Sequence, residues 1–208
     1  MMKFPPVYPI TDKRLARKDN HCCILKELIR GGATLVQIRD KSTPTNELFG
    51  DLIHCVEYSI RRGTTLILND RCDIVLSCGA SGVHLGQDDL DPRVAQTILD
   101  SNHIIGYSTH SISQVRTASL LPVQYIGFGP VFETSTKENA EPAAGVELLR
   151  EACRQSKVPV VAIGGITLGN IDRVLAAGAA SAAVISSIMV SEDIAGTMDA
   201  FMERATGR

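Results

Sequence analysis

The stretch VPVVAIGGITLGNIDRVLAAGAASAAVISS, residues 158–187, decides the fold class. It contains two short apolar runs, 158–164 and 181–186, with helical periodicity over 169–178 between them. Short apolar runs bounded by Gly and Ser are typical of strands buried on both faces, as in a parallel sheet. The stretch therefore predicts one strand–helix–strand unit.

The same unit recurs along the whole chain. Further strand-like runs lie at 6–10, 33–38, 64–68, 81–85, 103–107 and 124–129. Further helical patterns lie at 20–30, 44–62, 70–78, 92–100, 112–120, 145–156 and 192–205. Eight strand–helix units with right-handed crossovers predict an α/β fold, a single-domain (β/α)8 TIM barrel over residues 1–208. The alternative is an open doubly wound sheet, but TDKRLARK at 11–18 lacks the glycine-rich turn that usually follows its first strand.

Helix boundaries can be located from single residues. The pair Gly31–Gly32 is a stop signal after residues 20–30. Thr43 before Pro44, and Asp91 before Pro92, each place a capping residue ahead of a proline at the first helical position. These signals predict helices that begin at residues 44 and 92.

Composition excludes several classes of function. The chain has 208 residues, of which 44% are hydrophobic, a formal net charge of −2 and no Trp. The nearly balanced charge argues against general binding to nucleic acid or to a membrane surface. No run approaches the roughly 18 apolar residues of a membrane span, and the N-terminal sequence lacks the apolar run of a signal peptide. The six cysteines include no CxxC pair, which predicts reduced thiols in a cytoplasmic protein.

Polar residues follow nearly every predicted strand, at the end of the barrel where such folds carry their sites. Gln37, Arg39 and Lys41 alternate along an extended segment, so they share one face. A guanidinium fork and an ammonium are suited to phosphate oxygens. The alternative interpretation is a solvated cationic strand end that pairs with Asp40.

Two acidic residues, Asp70 and Asp89, follow the third and fourth predicted strands. Two carboxylates are enough protein ligands for Mg²⁺, which keeps its other positions for water and substrate phosphates. The alternative is helix capping, in which Asp70 opens one helical segment and Asp89 or Asp91 caps the next. His84 lies within a strand pattern and is interpreted as structural, whereas the role of His110 stays open.

Two regions of the predicted barrel mouth favour anions. TSTK at 134–137 follows the sixth strand and adds an ammonium to the cationic region. The pairs Gly164–Gly165 and Ser186–Ser187 follow the seventh and eighth strands, where barrels commonly build a phosphate site from backbone N–H groups. A cationic region with carboxylates and a neutral, backbone-built region together predict two phosphorylated reactants: a pyrophosphate that needs Mg²⁺ and a monophosphate.

Seven motifs in register make the chain resemble the thiamine phosphate synthase family over roughly residues 7–190. They are QIRDK at 37–41, LNDR at 68–71, GVHLGQDD at 82–89, GYSTH at 106–110, GPVFETSTK at 129–137, AIGGIT at 162–167 and VISSI at 184–188. The resemblance implies a barrel that joins hydroxymethylpyrimidine pyrophosphate to thiazole monophosphate and releases pyrophosphate. It also implies a dissociative reaction, in which a pyrimidine methylene cation forms before the thiazole nitrogen captures it.

The resemblance also implies a role for each motif residue. The residues that would hold the pyrimidine substrate and its pyrophosphate are Gln37, Arg39, Lys41, Asn69, Ser108 and Lys137. Those that would contact the thiazole substrate or lie between the two substrates are Thr134, Thr136, Gly165, Ile185 and Ser186. Asp70 and Asp89 would bind Mg²⁺ as the cofactor. Arg39, Ser108 and Lys137 are the predicted catalytic residues.

Two alternatives remain beside the synthase. Thiazole tautomerase relatives share the barrel and many motifs but lack the metal and pyrophosphate residues, so Asp89 in GQDD and Lys137 in TSTK favour the synthase. The other alternative is a non-catalytic phosphate-binding barrel. The expected partners are the two small-molecule substrates, without nucleic acid or membrane, and a homodimer is left open.

Overall fold

The computed structural model describes residues 4–134 and 142–207, and its elements follow the predicted units. The strands are β1 Val7–Pro9, β2 Leu35–Ile38, β3 Thr65–Asn69, β4 Gly82–Leu85, β5 Ile104–Thr109, β6 Tyr125–Phe128, β7 Val160–Ile163 and β8 Ser181–Val184. The helices are α1 Lys13–Ala16, α2 His21–Arg30, α3 Thr45–Arg62, α4 Cys72–Cys78, α5 Pro92–Ile98, α6 Ile112–Ala118, α7 Gly145–Gln155, α8 Ile171–Ala176, α9 Ser186–Met189 and α10 Ile194–Thr206.

The strands form one parallel sheet that closes on itself. Its order is β1-β8-β7-β6-β5-β4-β3-β2, so each strand pairs with its neighbour in the chain and β1 pairs with β8. The first and last strands of this order meet as well, because Ile10 forms a parallel bridge with Gln37. The Thr11 N–H donates to the Gln37 carbonyl at 2.8 Å. The predicted (β/α)8 barrel is confirmed, and the open sheet is excluded.

Side chains alternate between two apolar layers along each strand. In β3, Leu66 and Leu68 belong to the layer between the strands and the helices, whereas Ile67 lies in the barrel interior. The interior cluster also contains Leu35 and Val161 from other strands. Because successive strand residues point to opposite faces, both faces of the sheet are buried and the strands read as nearly continuous apolar runs. Polar residues are thereby concentrated where the strands end.

The two predicted helix starts have different outcomes. The predicted start of α5 is confirmed: Asp91 is its N-cap and accepts a hydrogen bond from the Arg93 N–H at 2.7 Å. The predicted cap of α3 is wrong by one residue, since α3 has Pro44 as its N-cap without a side-chain hydrogen bond. The hydroxyl of Thr43 donates instead to Asp40 at 2.7 Å, which draws it away from the helix.

Two short helices are additions that the sequence periodicity did not predict. α1 and α9 have four residues each, too few to show a helical repeat. α9 begins at Ser186, a residue predicted to end the eighth strand-like run. Over the residues that the structure describes, no helix combines the length and the apolar character needed to cross a membrane.

Candidate active site

A cavity of about 210 Å³ lies at the carboxyl ends of the strands. The predicted site residues that line it are Gln37, Arg39, Lys41, Asn69, Asp70, Asp89, Ser108, Thr134, Gly165, Ile185 and Ser186. These are all the predicted site residues that fall within the described ranges. Thr136 and Lys137 lie outside the described residues. The strand ends therefore bring the predicted residues to one mouth.

The loop after β2 places two cations beside the cavity. Lys41 Nζ lies 3.2 Å from Asp70 Oδ2, and the Lys41 side chain is 58% exposed. Arg39 lines the cavity but forms no ion pair with any other residue that the structure describes. A guanidinium without a carboxylate partner is suited to bind an anionic group that enters the cavity.

Asp40, which lies between these two cations, belongs to a separate buried cluster. Its side chain is only 3% exposed and lies 3.2 Å from Lys13 Nζ and 3.0 Å from His21 Nε2. Burial alone would raise the pKa of Asp40, but hydrogen bonds from Thr43, Ser42 and His21 outweigh it and hold the pKa well below its ordinary value. The cluster ties the loop that carries the two cations to α1 and α2. It contradicts the alternative in which these cations pair with Asp40.

The helix-capping alternative for the two acidic residues is also wrong. α4 begins at Cys72 with Arg71 as its N-cap, so Asp70 does not cap it. α5 is capped by Asp91, whereas Asp89 Oδ2 accepts a hydrogen bond from the Gly86 N–H at 2.6 Å within the turn after β4. Both carboxyl groups therefore belong to the cavity wall rather than to a helix start.

Asp70 and Asp89 form a close acidic pair whose chemistry fits a divalent cation. Burial raises the pKa of Asp70 and a hydrogen bond to Asp89 raises it further, although Lys41 opposes the shift. Asp70 also has a φ of +65°, a strained conformation for a residue other than glycine. Two adjacent carboxyl groups are costly to ionise together unless a cation lies between them. Carboxylate oxygens are the ligands that Mg²⁺ prefers.

The protein ligands for such an ion would be few. Among residues 4–134 and 142–207, no group of three or more His, Cys, Asp or Glu could hold a metal ion. Mg²⁺ usually keeps several waters and binds through one or two carboxylates together with substrate phosphates. An acidic pair beside a loop that carries Arg39 and Lys41 is consistent with that kind of site.

A chain of hydrogen bonds runs beneath the cavity, through the barrel interior. Gln37 Nε2 donates to Tyr8 Oη at 3.1 Å, and Tyr8 Oη lies 3.0 Å from Tyr125 Oη. Tyr125 Oη lies 3.0 Å from His84 Nδ1, and His84 Nε2 lies 2.9 Å from Ser108 Oγ. Burial lowers the pKa of His84 to about 4 despite nearby Asp89, so its imidazole is neutral at pH 7. We call these five residues the polar chain.

The opposite side of the cavity is built from backbone groups. Gly165 lines it and, among the described residues, no acceptor takes its N–H. Ser186 starts α9, so its N–H is one of the helix's first donors, which have no partner within the helix. Ser187 Oγ donates to the Ile166 carbonyl at 2.8 Å and links the loops after β7 and β8. A short extra helix after β8 is the common phosphate-binding arrangement of TIM barrels.

Comparison with known proteins shows the family of this chain. The family described as thiamine monophosphate synthase matches residues 7–188. The chain belongs to that family. The thiamine-phosphate synthase of Persephonella marina is 44% identical over 189 residues, which cover 90% of this chain and 90% of that protein. The thiamine-phosphate synthase of Methanocella arvoryzae is 40% identical over 188 residues, 90% of this chain and 89% of that protein.

The thiamine monophosphate synthase fold also appears among solved structures. The thiamine phosphate pyrophosphorylase from Pyrococcus furiosus superposes with a TM-score of 0.89 and 33% sequence identity. The match covers 98% of this chain and 96% of that one. A 3-hexulose-6-phosphate synthase superposes with a TM-score of 0.70 at 14% identity, which shows a shared fold alone.

The buried histidine of the Asp40 cluster gives this family member a predicted pH dependence. Burial lowers the pKa of His21, although Asp40 opposes the shift. The unfolded chain then binds a proton near the ordinary His pKa of about 6.5 that the folded chain does not bind, so the free energy of unfolding should fall as the pH drops below that value. Urea unfolding between pH 7.5 and 5 measures this slope.

The matched variants separate His21 from the other titrating groups. His21→Asn should lower stability at pH 7.5. It should also flatten the dependence of the free energy of unfolding on pH, because an asparagine side chain takes up no proton in this range. His103→Asn, at a half-buried position just before β5, is the parallel histidine replacement against which the slope of His21→Asn is compared. Equal slopes in the wild type and His21→Asn would contradict the prediction.

Gly165 is a cavity glycine whose backbone conformation and close contacts both disfavour a larger residue. Its φ is +63°, and an added Cβ would meet the Glu133 carbonyl oxygen and lie 2.7 Å from Phe132 Cβ. Gly63 has a similar φ of +66° but no atom within 4 Å of an added Cβ. Gly63→Ala should cost about 1 kcal/mol of stability. Gly165→Ala should cost about 1–3 kcal/mol more because of overpacking against backbone atoms.

Urea unfolding of the two alanine variants measures that difference. Calorimetric titration with inorganic phosphate tests the effect of Gly165→Ala on the site. The added methyl group should displace the backbone at residue 165 and so weaken phosphate binding. Equal costs for the two variants, with unchanged phosphate affinity, would refute the requirement at Gly165.

Sequence reasoning missed the interior half of the site. Tyr8 and Tyr125 line the cavity but lie within strand runs that read as apolar core. The strand pattern around His84 indicates a structural residue, whereas His84 contacts Ser108 and also lines the cavity. The alternation of side chains along β1, β4 and β6 could have shown that these three polar residues face the same interior.

Proposed function

We propose that this chain catalyses the condensation of hydroxymethylpyrimidine pyrophosphate with thiazole monophosphate to give thiamine phosphate and pyrophosphate. The observation that carries the proposal is the meeting, in one cavity, of Arg39, which has no carboxylate partner among residues 4–134 and 142–207, an acidic pair, and the backbone N–H groups of Gly165 and Ser186. Two phosphorylated small molecules of different charge would need these different surroundings.

The residues after β2 and β3 are proposed to bind the pyrophosphate. Arg39 and Lys41 offer a fork and a point charge to its oxygens, and Asn69 lines the same part of the cavity. Lys137 follows Thr134 by three positions in the sequence and is proposed to bring a further ammonium to the leaving group. Charge on the leaving oxygen increases as the C–O bond breaks, so these cations stabilise the transition state more than the bound substrate.

Asp70 and Asp89 are proposed to hold Mg²⁺ at the pyrophosphate. The ion, when bound, neutralises phosphate charge and so makes pyrophosphate a better leaving group. The chain's own contribution is to fix the two carboxyl groups: Asp89 through the Gly86 N–H and Asp70 through its own N–H, which donates to the His84 carbonyl at 2.9 Å. Lys41, 3.2 Å from Asp70, lies where it can contact both carboxylate and phosphate.

The thiazole monophosphate is proposed to bind at the loops after β7 and β8. The N–H groups of Gly165 and Ser186 would donate to its phosphate, with Ile185 against the thiazole ring. Thr134 lines the cavity between this region and the cationic one, and Thr136 follows it in sequence. Binding both reactants in one cavity converts a bimolecular reaction into a step between positioned groups.

The reaction proposed for these residues is dissociative and needs no covalent nucleophile. Ser108 contacts His84 rather than a carboxylate-oriented base, and the burial of His84 keeps it a weak base. Ser108 is therefore proposed to contact the pyrimidine ring. Departure of pyrophosphate leaves a methylene cation on that ring, which the thiazole nitrogen then attacks. The residues act by position and charge.

The remaining properties stay predictions. We propose that the chain acts as one domain over residues 1–208, in the cytoplasm, on small-molecule substrates and without nucleic acid. The homodimer that the sequence leaves open is tested by size-exclusion chromatography with light scattering.

The proposed reaction is tested by omitting one component at a time. Chromatography should detect thiamine phosphate when both substrates and Mg²⁺ are present and none when either substrate is omitted. Isomerisation of a thiazole phosphate without condensation would instead favour the tautomerase-like alternative. Binding of both phosphorylated substrates without formation of any product would favour the non-catalytic barrel.

A further inference from the structure

The polar chain beneath the cavity has a direction that follows from its donors and acceptors. Gln37 Nε2 can only donate, so Tyr8 Oη accepts from it and turns its single proton to Tyr125. Tyr125 in turn donates to His84 Nδ1, which leaves the proton of the neutral imidazole on Nε2. His84 Nε2 then donates to Ser108 Oγ. The hydroxyl proton of Ser108 is left to point into the cavity.

The orientation of the Gln37 amide sets both ends of the polar chain. Its Nε2 lies toward Tyr8 Oη, and this contact sends the Tyr8 proton toward Tyr125. The carbonyl oxygen Oε1 of Gln37 is then available as an acceptor in the cavity that Gln37 lines. Tyr8 and Tyr125 are each 1% exposed and Gln37 is 2% exposed, so water does not easily replace these contacts.

We propose that Tyr8, Tyr125 and His84 are positioning residues that fix Gln37 as an acceptor and Ser108 as a donor, and thereby select an aminopyrimidine over the corresponding oxopyrimidine. An aminopyrimidine offers an exocyclic amine to Gln37 Oε1 and a ring nitrogen to the Ser108 hydroxyl. An oxopyrimidine sets a carbonyl oxygen against Gln37 Oε1, where two acceptors meet. The identity of the ring rests on the proposed function; the direction of the polar chain does not.

A free glutamine amide could rotate and present its NH₂ to an oxopyrimidine, so glutamine alone gives little selectivity. In the polar chain that rotation is coupled to the other hydrogen bonds: Oε1 would face a Tyr8 oxygen whose proton is already used unless Tyr8, Tyr125 and His84 all reverse with it. Discrimination between the amino and oxo pyrimidines should therefore depend on Tyr125, although Tyr125 contacts Gln37 only through Tyr8 in the polar chain. A site that leaves a buried polar group mismatched rejects a substrate strongly, and we expect a preference of about 100-fold or more.

The direction of the hydrogen bonds in the polar chain is tested in the protein without substrate. Long-range ¹H–¹⁵N NMR of histidine-labelled protein distinguishes a proton on Nε2 from one on Nδ1. His84 should show the Nε2–H tautomer in the wild type, and Tyr125→Phe, which removes the donor to Nδ1, should shift the tautomer mixture. A predominant Nδ1–H tautomer in the wild type would reverse the direction and overturn the proposal.

The selectivity is tested by calorimetric binding of the 4-amino and the 4-oxo pyrimidine pyrophosphates. Tyr125→Phe should reduce the preference for the amino compound at least tenfold, while circular dichroism confirms that the variant is folded. Tyr8→Phe, which frees Gln37 directly, should do the same and serves if Tyr125→Phe does not fold. Tyr58→Phe is the control, because Tyr58 lies on α3 against Lys26 and Arg62.

The outcomes separate this inference from the proposed reaction. A tenfold or larger loss of preference in the variants would support the inference. If the wild type at the same time released no pyrophosphate, the reaction would be contradicted while the inference stands. Turnover with the same preference in wild type, Tyr125→Phe and Tyr8→Phe would support the reaction and overturn the inference. Failure of the wild type to bind either pyrimidine would overturn the inference.

Discussion

Arg39→Ala should lower kcat/KM for condensation by about 1,000-fold while the protein stays folded. The guanidinium lines the cavity and has no ion-pair partner among the described residues, so the fold loses little when it is removed. Loss of one preorganised group that stabilises developing negative charge typically costs about 100- to 1,000-fold in rate. Steady-state kinetics with both substrates and thermal unfolding measure the two effects together.

Two further variants make the Arg39 result specific. Arg39→Lys keeps the charge but loses the bidentate geometry, so its activity should fall between those of the wild type and the alanine variant. Arg93→Ala removes an exposed guanidinium that pairs with Asp91 on α5 and should leave kcat/KM within about twofold, as expected for a surface ion pair. Near-wild-type turnover of Arg39→Ala would refute the leaving-group role.

Asp70→Asn should have opposite effects with and without Mg²⁺. Without the ion, replacing one carboxyl group of the acidic pair should raise thermal stability, because it removes the repulsion between Asp70 and Asp89. With Mg²⁺, the wild type should gain stability by binding the ion and the variant should gain less. Asparagine tolerates the positive φ of Asp70, so the backbone is not the cause of the difference.

The same variant should lower activity by about 100-fold or more at a fixed Mg²⁺ concentration, since the metal contributes several kcal/mol of charge stabilisation. Calorimetric titration with Mg²⁺ gives a readout that does not depend on turnover. Asp199→Asn, at an exposed position of α10, is the matched control and should leave both readouts unchanged. Equal Mg²⁺ affinity in the wild type, Asp70→Asn and Asp89→Asn would contradict the ligand assignment.

Much of the fold could be predicted because a (β/α)8 barrel repeats one pattern that local sequence determines. Strands buried on both faces give apolar runs, and Asp91 before Pro92 marks a helix start through its own hydrogen bond. Thr43 fails as a cap because the Asp40 carboxylate, three positions before it in the chain, takes its hydroxyl. Asp40 is itself held by His21 and Lys13, and those tertiary contacts leave no periodic signal.

The candidate site likewise contains residues that the sequence reveals and residues that it does not. Arg39, Asp70 and Asp89 stand out in sequence because charged residues directly after apolar strands are conspicuous. Tyr8 and Tyr125 do not, since a tyrosine in a strand is as consistent with core packing as with a hydrogen bond in the barrel interior. Only the closed barrel, which brings β1 beside β8 and faces both tyrosines inward, shows that their hydroxyls meet at 3.0 Å.

The most direct test of the central claim is pyrophosphate release from the two phosphorylated substrates, followed with and without Mg²⁺. We predict that each thiamine phosphate formed is accompanied by one pyrophosphate, and that a chelator of divalent cations reduces both to background. Product formation that a chelator leaves unchanged would contradict the role of Asp70 and Asp89. No pyrophosphate release under any of these conditions would contradict the proposed reaction itself.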